Sequence, residues 1–352
     1  MLLYIHIPFC DSKCFYCSFN SYTDSFHLKT SYENAICEEL TSKITKFNIK
    51  KFKTVFFGGG TPSSIKTKHY ENIFKILEPF IDKDTEITFE ANPNSATLMW
   101  LTEIKNLGAN RISFGVQSFD DNKLRYLGRA HNAKTAILAI ENARNVGFKN
   151  INCDILYNSE MDSKDLISRD LSIIKSLNIE HLSAYSLTIE EQTKFFDQKL
   201  RQIDDEDFSK FCIESIKQIG FCQYEISNFA KSIDFQSKHN LGYWQKNDYL
   251  GIGAGAVGCI GNIRTKNESN IQKYIDLRSF EEEILDKNDI LIETIFLGLR
   301  SCVGIDEKTL DEKTLKNAKF LVEENKLKFE NGKFFNDNFL LSDELALFIL
   351  RQ

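Results

Sequence analysis

A repeated alternation of short strand-like runs and helix-like stretches is the feature of this sequence that most restricts its fold. Runs rich in β-branched or aromatic residues are each followed by a polar or glycine-rich break and then by a stretch with helical spacing. Because strands that alternate with helices pair in parallel, the pattern predicts an α/β fold, a partial parallel (β/α)6 barrel of the TIM type. A flat doubly wound sheet has the same periodicity and stays open as an alternative. The predicted strands are 3–7, 54–57, 86–90, 111–114, 152–156, 181–187 and, as a seventh candidate, 224–227.

The intervening stretches have the apolar spacing of amphipathic helices. Several are followed by a glycine in the position that closes a helix with a left-handed residue, as at Gly108, Gly147 and Gly220. The sequence therefore predicts helices over 31–45, 68–77, 97–107, 135–146, 164–177 and 205–219.

The alternation ends after about Phe229, which divides the chain into three predicted parts. Residues 1–230 form the partial barrel. Residues 231–287 form an extension with the motif HNLGYW and a glycine-rich segment, and residues 288–352 form a small C-terminal helical or winged-helix-like domain with a hairpin at Asn331-Gly332. Winged helices often bind DNA, but the acidic surroundings favour a structural or docking role, and we expect no nucleic-acid partner.

Charge and cysteine content restrict the setting in which the protein works. The 44 Lys and Arg against 50 Asp and Glu give a net charge of −6, which provides no general attraction to nucleic acid or to an anionic membrane. The first residues do not form a charged run followed by a long apolar stretch. No segment approaches the roughly 20 apolar residues of a membrane span. Nine cysteines, an odd number, predict free thiols and a metal site in a reducing compartment, the cytoplasm.

Three cysteines, Cys10, Cys14 and Cys17, stand together in "CDSKCFYC", directly after the first predicted strand. Thiolates select zinc or iron–sulfur iron, and a structural zinc needs four protein ligands. Three cysteines on a 4Fe-4S cluster leave one iron open, as a reactive site requires. Zinc with His6 or His27 as a fourth ligand stays open as an alternative. The remaining cysteines are predicted to be small buried hydrophobes: Cys37, Cys153, Cys212, Cys222, Cys259 and Cys302.

The segment "YIHIPFCDSKCFYCSF" resembles the opening of the radical S-adenosylmethionine proteins related to the oxygen-independent coproporphyrinogen III oxidases. The resemblance covers about residues 3–258 and implies a 4Fe-4S cluster whose open iron is chelated by the methionyl group of S-adenosylmethionine. Reduction of that cluster yields a 5'-deoxyadenosyl radical in the family. The matching blocks follow in order: "FFGGGTP", "FEANP", "RISFGVQSF", "LGRAH", "NCDIL", "LSAYSL", "YEISNFA" and "HNLGYW".

The resemblance assigns cofactor contacts to residues at the ends of the predicted strands. Glu90 would pair with the methionyl ammonium and Arg129 with its carboxylate, to which a guanidinium fork is suited. Gln117 and Asp154, each ending a strand, would bind the ribose hydroxyls. Taken singly, each of these residues would be read as a surface or capping residue. The other implied contacts are Gly59, Gly60 and Thr61 at the amino group, Tyr4 and Tyr16 beside the cluster, and 251–256 near the adenine.

Two features favour the haem chaperone branch of the family over the oxidases. The oxidases carry a further cysteine where this chain has Phe19, and an extra segment before the first strand. His239 in "HNLGYW" is the expected haem ligand, with Tyr243 and Trp244 offering flat apolar surface. The alternative is that His239 hydrogen-bonds within the fold and the aromatic residues pack in the core.

The sequence therefore predicts a haem chaperone that binds a 4Fe-4S cluster, S-adenosylmethionine and haem and delivers haem to acceptor proteins. Its expected partners are haem or porphyrin, a haem-accepting apoprotein, and an electron donor such as flavodoxin or ferredoxin. A membrane-associated protein is one candidate for the haem acceptor. No catalytic residue is assigned. An oxygen-independent coproporphyrinogen III oxidase and an iron–sulfur redox sensor stay open as alternatives.

One departure from the family concerns the loop after the fifth strand. The family continues "NCDIL" with a glycine-proline loop such as "GLPGQT", whereas this chain reads "YNSEMDSKDL" from Tyr157. Without those glycines the backbone approaches a ligand less closely, and we expect weaker hold on the cofactor there.

Overall fold

The structure, a computed structural model, describes residues 1–351 and is built on one large sheet. Six strands pair in parallel in their chain order, as the sequence predicts, and their residues are buried on nearly every position because helices cover one face and side chains fill the other. The six strands are β1 (Leu2–Ile7), β2 (Thr54–Gly59), β3 (Glu86–Ala91), β4 (Arg111–Gln117), β5 (Asn150–Tyr157) and β6 (His181–Ser186).

The helices between these strands begin and end where local side chains dictate. Thr97 and Ser163 cap their helices by accepting hydrogen bonds from backbone N–H groups, and Gly108 and Gly147 close the preceding helices at φ +118° and +98°. All six predicted helices are confirmed, each to within two residues at either end. The helices of this part are α1 (Lys29–Lys46), α2 (Lys68–Leu77), α3 (Leu98–Leu107), α4 (Asp121–Tyr126), α5 (Ala133–Val146), α6 (Lys164–Leu177), α7 (Lys194–Asp197) and α8 (Glu206–Gln218).

The seventh predicted strand is wrong. Residues 224–227 form the turn between two short antiparallel strands, β7 (Cys222–Gln223) and β8 (Asn228–Ala230). The turn residues bond instead to the segment around Arg300, since Ile226 N donates to Arg300 O at 2.8 Å. A β-branched, aromatic run satisfies its backbone here without joining the parallel ladder.

The extension continues the sheet on the other side of β1. β9 (Tyr249–Ile252) pairs in parallel with β1, and three antiparallel strands follow outward. The glycines of "GIGAGA" serve this packing, because a Cβ at Gly251 would lie 2.1 Å from the Val257 carbonyl oxygen. The remaining elements here are α9 (Lys238–Trp244), β10 (Val257–Ile260), β11 (Ile263–Asn267), α10 (Ile271–Leu277) and β12 (Phe280–Ile284).

The C-terminal segment packs around its own hydrophobic core, which includes Ile295, Leu321, Phe334 and Ile349. The predicted hairpin is confirmed, with Asn331 and Gly332 at φ +51° and +78°, the signature of a tight two-residue turn. This C-terminal segment contains α11 (Lys287–Leu299), α12 (Glu312–Glu323), α13 (Ser342–Leu350), β13 (Ile305–Asp306), β14 (Lys328–Glu330) and β15 (Lys333–Phe335).

The large sheet curls into a partial barrel. Tyr4 on β1, Glu90 on β3 and Tyr185 on β6 line one cavity, although their strands are far apart in the sheet order. The barrel stays open because the sheet ends in β12 at one edge and in β7 at the other. No helix within residues 1–351 combines the length and the apolar character that crossing a bilayer requires.

The prediction that the six scattered cysteines are buried holds for Cys153 and Cys212 alone. Cys37 and Cys259 are half-buried, and Cys222 and Cys302 are exposed. Cys222 lies in β7, the two-residue strand at the edge of the sheet, and Cys302 lies in the loop after α11.

Candidate functional site

The cysteine motif forms a loop that leaves the end of β1 and closes on itself. Tyr22 N donates to Pro8 O at 2.7 Å and Cys10 N donates to Tyr22 O at 3.0 Å. The three thiols line one cavity of about 260 Å³ at the carboxyl end of the parallel strands. Functional groups collect at this end in barrels of this kind.

The donor set of this cavity fits an iron–sulfur cluster. Its three cysteines are free thiols, the soft ligands that such clusters require. His6 is not available as a fourth ligand, because its Nδ1 bonds to the Tyr4 hydroxyl at 3.0 Å and its Nε2 to the Asn20 carbonyl at 2.8 Å. Within residues 1–351, no three His, Cys, Asp or Glu side chains are close enough together to hold one metal ion. A cubane does not need such a group, because each of its cysteine ligands binds a different iron.

Arg129 lies against the cysteine loop rather than free in the cavity. Its Nη1 donates to Cys14 Sγ at 3.1 Å and its Nη2 donates to Asn92 Oδ1 at 2.5 Å, while its buried Nε has no partner. The guanidinium also donates to Gly115 O, and its Nε–H has the geometry of a fork that can serve a ligand carboxylate.

The glycine segment at the end of β2 packs directly on the cysteine loop. Gly60 N donates to Ile7 O and Thr61 N to Phe9 O, both at 2.8 Å, and Gly59 N donates to Glu90 Oε2 at 3.0 Å. These three N–H groups are therefore used within the fold. An ammonium group would therefore meet the acceptors of the segment, although the Thr61 carbonyl oxygen already accepts from Ser64 N at 2.9 Å and from Ser64 Oγ at 2.7 Å.

A substitution at Gly59 tests this packing directly. Its φ of +111° disfavours any other residue, and an added Cβ would lie 2.3 Å from the His6 ring. We expect Gly59→Ala to lower the free energy of unfolding by at least about 2 kcal/mol in urea titrations, since strain and overpacking add.

Gly147→Ala is the matched control, because Gly147 has φ +98° but no atom within 4 Å of the added Cβ. Gly147→Ala should lower the free energy of unfolding by the backbone strain alone, about 1 kcal/mol. Equal losses in the two variants would contradict a packing role for Gly59.

Two half-buried carboxylates line the cavity, Glu90 on β3 and Asp154 on β5, with β4 between their strands. Burial and the nearby charge of Asp154 raise the pKa of Glu90 to about 7. Burial raises the pKa of Asp154 to about 6, and Asn152 Nδ2 donates to its Oδ1 at 2.6 Å. Asp154 lies within β5 and does not end it, which corrects the sequence prediction, because β5 continues to Tyr157.

Gln117 ends β4 in a strained conformation. Its φ is +73°, in the region that favours glycine, and the register between β4 and β5 shifts between Gly115 and Gln117. Gln117 lines the same cavity as the cysteines. Strain of this kind in a non-glycine residue is typical of functional sites.

The two predicted aromatic residues flank different cavities. Tyr16 lines the cysteine cavity, and burial raises its pKa. Tyr4 lines a second, larger cavity of about 1060 Å³ and lies 6.1 Å from the Phe56 ring. The two cavities meet, since four residues line both: Phe19, Gly59, Glu90 and Tyr185.

The larger cavity is mostly apolar and lies between the barrel, the extension and α11. One wall of the cavity is aromatic and consists of Phe56, Tyr243 and Tyr249. Phe296 of α11 lines the side toward the C-terminal segment. Trp244 is half-buried and does not line this cavity within the described residues.

His239 lines this cavity, yet both of its ring nitrogens have partners. Nδ1 lies 2.7 Å from Thr54 Oγ1 and Nε2 lies 2.8 Å from the Tyr243 hydroxyl. The ring stacks on Phe56 at 4.9 Å, and burial lowers the pKa of His239 to about 3, so the imidazole is neutral.

The loop that departs from the family is held by polar contacts. Asn158 takes φ +62°, and Asp162 accepts hydrogen bonds from Ser159 and forms an ion pair at 2.5 Å with Lys123, which is fully buried. Lys123 Nζ also donates to Leu156 O. A buried ion pair thus takes the place of the glycine-proline turn.

Sequence reasoning missed three residues of the site. Asn92 links Thr61 to Arg129, Tyr185 stands where the two cavities meet, and Lys123 anchors the loop after β5. Asn92 and Tyr185 fall inside the quoted blocks "FEANP" and "LSAYSL", so position after a strand was an available signal. Nothing in the sequence pairs Lys123 with Asp162.

Comparisons with known proteins agree with this geometry. Residues 4–166 match the Radical SAM superfamily. The chain is 37% identical over 327 residues to the haem chaperone HemW of Bacillus subtilis (strain 168), covering 88% of this chain and 86% of the relative. It is 32% identical over 315 residues to the haem chaperone HemW of Lactococcus lactis subsp. lactis (strain IL1403), covering 86% and 82%.

The fold is also that of a solved structure. Coproporphyrinogen III oxidase (HemN) from Escherichia coli, a radical SAM enzyme, superposes with a TM-score of 0.83 over 99% of this chain and 89% of that one, at 20% identity. That likeness establishes the fold. The identity to the two bacterial relatives, over most of both chains, shows that the chain belongs to the HemW haem chaperone family within the radical SAM superfamily.

Proposed function

We propose that this chain binds haem in the larger cavity and delivers it to an acceptor protein, with a 4Fe-4S cluster and S-adenosylmethionine in the smaller one. The observation that carries the proposal is the junction of the two cavities at Glu90 and Tyr185. A cavity of about 1060 Å³ with an aromatic wall suits a flat apolar macrocycle.

The residues of the smaller cavity would divide the cofactor between them. Cys10, Cys14 and Cys17 hold the cluster, and Arg129 offers its free Nε to the methionyl carboxylate. The cluster, when bound and reduced, supplies one electron to the sulfonium. The other contacts are Glu90 with Gly59, Gly60 and Thr61 at the ammonium, Gln117 and Asp154 at the ribose, and Tyr4 and Tyr16 at the cavity walls.

We expect the affinity for S-adenosylmethionine to depend on pH. The pKa of Glu90 is about 7 in the free protein, and an ammonium ligand pairs with the carboxylate form. Below pH 7 binding must first remove a proton, so the affinity should fall by up to about tenfold between pH 7 and pH 6. Equilibrium dialysis of the cluster-loaded protein measures this, and Glu90→Gln should bind weakly and lose most of that pH dependence. A flat profile in the unaltered chain would contradict the pairing.

His239 is the proposed haem ligand, through Nε2. A tautomer with the Nδ1 proton donated to Thr54 leaves the Nε2 lone pair directed at Tyr243, and iron would replace that hydroxyl. We expect His239→Ala to weaken haem binding about tenfold or more and Tyr243→Phe, which frees Nε2, to strengthen it. Haem titrations followed by the Soret band decide this, and equal affinities in the three proteins would remove the assignment.

One anaerobic sample separates this function from the alternatives. The reconstituted chain is titrated with haem and then supplied with coproporphyrinogen III, S-adenosylmethionine and a reductant. A haem chaperone binds about one haem per chain and forms no vinyl product. Rapid vinyl formation would make the protein an oxidase, and failure of both would leave a redox sensor.

We also propose a cellular location, two partners and the domain bounds. Nine free thiols support a reducing, cytoplasmic location. A flavodoxin or ferredoxin is the proposed electron donor, and a membrane-associated haem protein is one proposed acceptor. Of the proposed domains 1–230, 231–287 and 288–352, the last is supported by its separate core, whereas 231–287 shares the core of the barrel.

A further inference from the structure

The sheet ends on one side in an exposed strand that no other segment covers. Among residues 1–351, β12 pairs with β11 alone and is the last strand of the sheet. All five residues of β12 are exposed, whereas the opposite edge is β7, with two residues. The free N–H and C=O groups of such an edge are a template for an added strand.

The two faces of β12 differ in chemistry. Successive side chains point to opposite faces, so Phe280 and Ile284 share one face, where they are 42% and 73% exposed. Glu281 and Glu283 share the other face, and Glu282 interrupts the apolar row. A strand beside β12 would therefore meet an apolar row on one face and an acidic row on the other.

The apolar row borders a cavity of about 470 Å³ on the outer side of the sheet, which Phe280 lines together with Ile263 and Leu250. The cations near this cavity are already engaged. Lys43 pairs with Glu39 at 2.6 Å, Arg278 pairs with Glu38 at 3.0 Å, and Lys46 lies 5.7 Å from the Phe280 ring.

The acidic row retains unpaired charge. Glu283 pairs with Arg264 at 3.2 Å. Within the described residues, Glu281 and Glu282 form no ion pair, although Lys266 is the register partner of Glu281. The five-residue strand thus carries three carboxylates and no cation.

We propose that β12 is the docking site of the acceptor protein, which adds an extended segment with alternating basic and apolar residues to this edge. This inference rests on the proposed haem delivery. Arg264, opposite Glu283, and Leu285, the residue after β12, both line the large cavity, so a partner docked here lies beside the proposed haem site. The basic side chains would face Glu281 and Glu283, and the apolar ones would face Phe280 and Ile284.

Fluorescence anisotropy with labelled peptides tests the docking on the full chain. The probe is a peptide of about ten residues with alternating lysine and valine, which matches both faces of the edge. One comparison peptide has two central valines replaced by proline, which cannot complete the ladder, and another alternates glutamate with valine. We expect binding of the first peptide alone.

The variant Glu281→Lys/Ile284→Ser alters both rows and should weaken that binding at least about tenfold, since charge match and apolar contact are both lost. Ile233→Ser/Glu323→Lys makes the same chemical changes at exposed residues outside the sheet and should bind as the unaltered chain does. Equal binding of the proline peptide, or equal binding by the two double variants, would overturn the proposal.

Haem titration of the same samples separates this inference from the proposed function. We expect Glu281→Lys/Ile284→Ser to bind haem normally. Normal haem binding without peptide binding would refute the docking site and leave haem carriage intact, whereas absence of haem binding in every protein would refute the carriage.

Discussion

Replacing Cys14 with serine is expected to remove the iron–sulfur cluster almost completely. A serine hydroxyl is a hard, neutral ligand, and the loss leaves two thiolates for a cluster that needs three. Iron in the anaerobically reconstituted chain should fall from about four atoms to less than one, with loss of the brown absorption. Iron and sulfide analysis measures the change.

Cys222→Ser is the matched control, since Cys222 is an exposed thiol far along the chain from the motif. It should retain the full complement of iron. We also expect Cys14→Ser to bind haem, because Cys14 does not line the proposed haem cavity. Full iron content in Cys14→Ser would contradict the ligand assignment.

The second large effect is expected at the buried ion pair behind the cavity. Lys123 and Asp162 have side chains that are 0% and 2% exposed and lie 2.5 Å apart. Asp162→Ala leaves the lysine ammonium buried without its counter-charge and removes the hydrogen bonds from Ser159. The free energy of unfolding should fall by about 3 to 5 kcal/mol in urea titrations.

A double replacement distinguishes the lost charge balance from lost packing. Lys123→Met with Asp162→Leu removes both charges, together with the hydrogen bonds from Ser159, and leaves no cavity, and it should recover most of the stability that Asp162→Ala loses. A double variant as unstable as the single one would show that the loop depends on its hydrogen bonds rather than on the pairing.

The regular elements of the barrel were predictable because each has its own local signal. Buried runs such as 54–57 and helices closed by Gly108 or Gly147 carry that signal in a few neighbouring residues. The turn at 224–227 has strand composition, but its backbone bonds to the chain around Arg300, a partner about 75 residues away that no local pattern reveals. β9 to β12 escaped prediction for the same reason.

The candidate site was predictable as a set of residues and not as a set of contacts. The cysteine spacing and the ordered blocks brought Cys10, Glu90 and Arg129 to one cavity. Local sequence gave no indication that Gly59 N donates to Glu90, or that His239 has a partner on each ring nitrogen. Such contacts depend on how distant strands meet across the barrel.

The most direct test of the account is an iron anomalous difference map from anaerobic crystals of the cluster-loaded chain soaked with haem. We expect two iron centres in adjoining cavities, one held by Cys10, Cys14 and Cys17 and one beside the aromatic wall formed by Phe56 and Tyr243. A haem iron outside that cavity, or no iron at the three thiols, would contradict it.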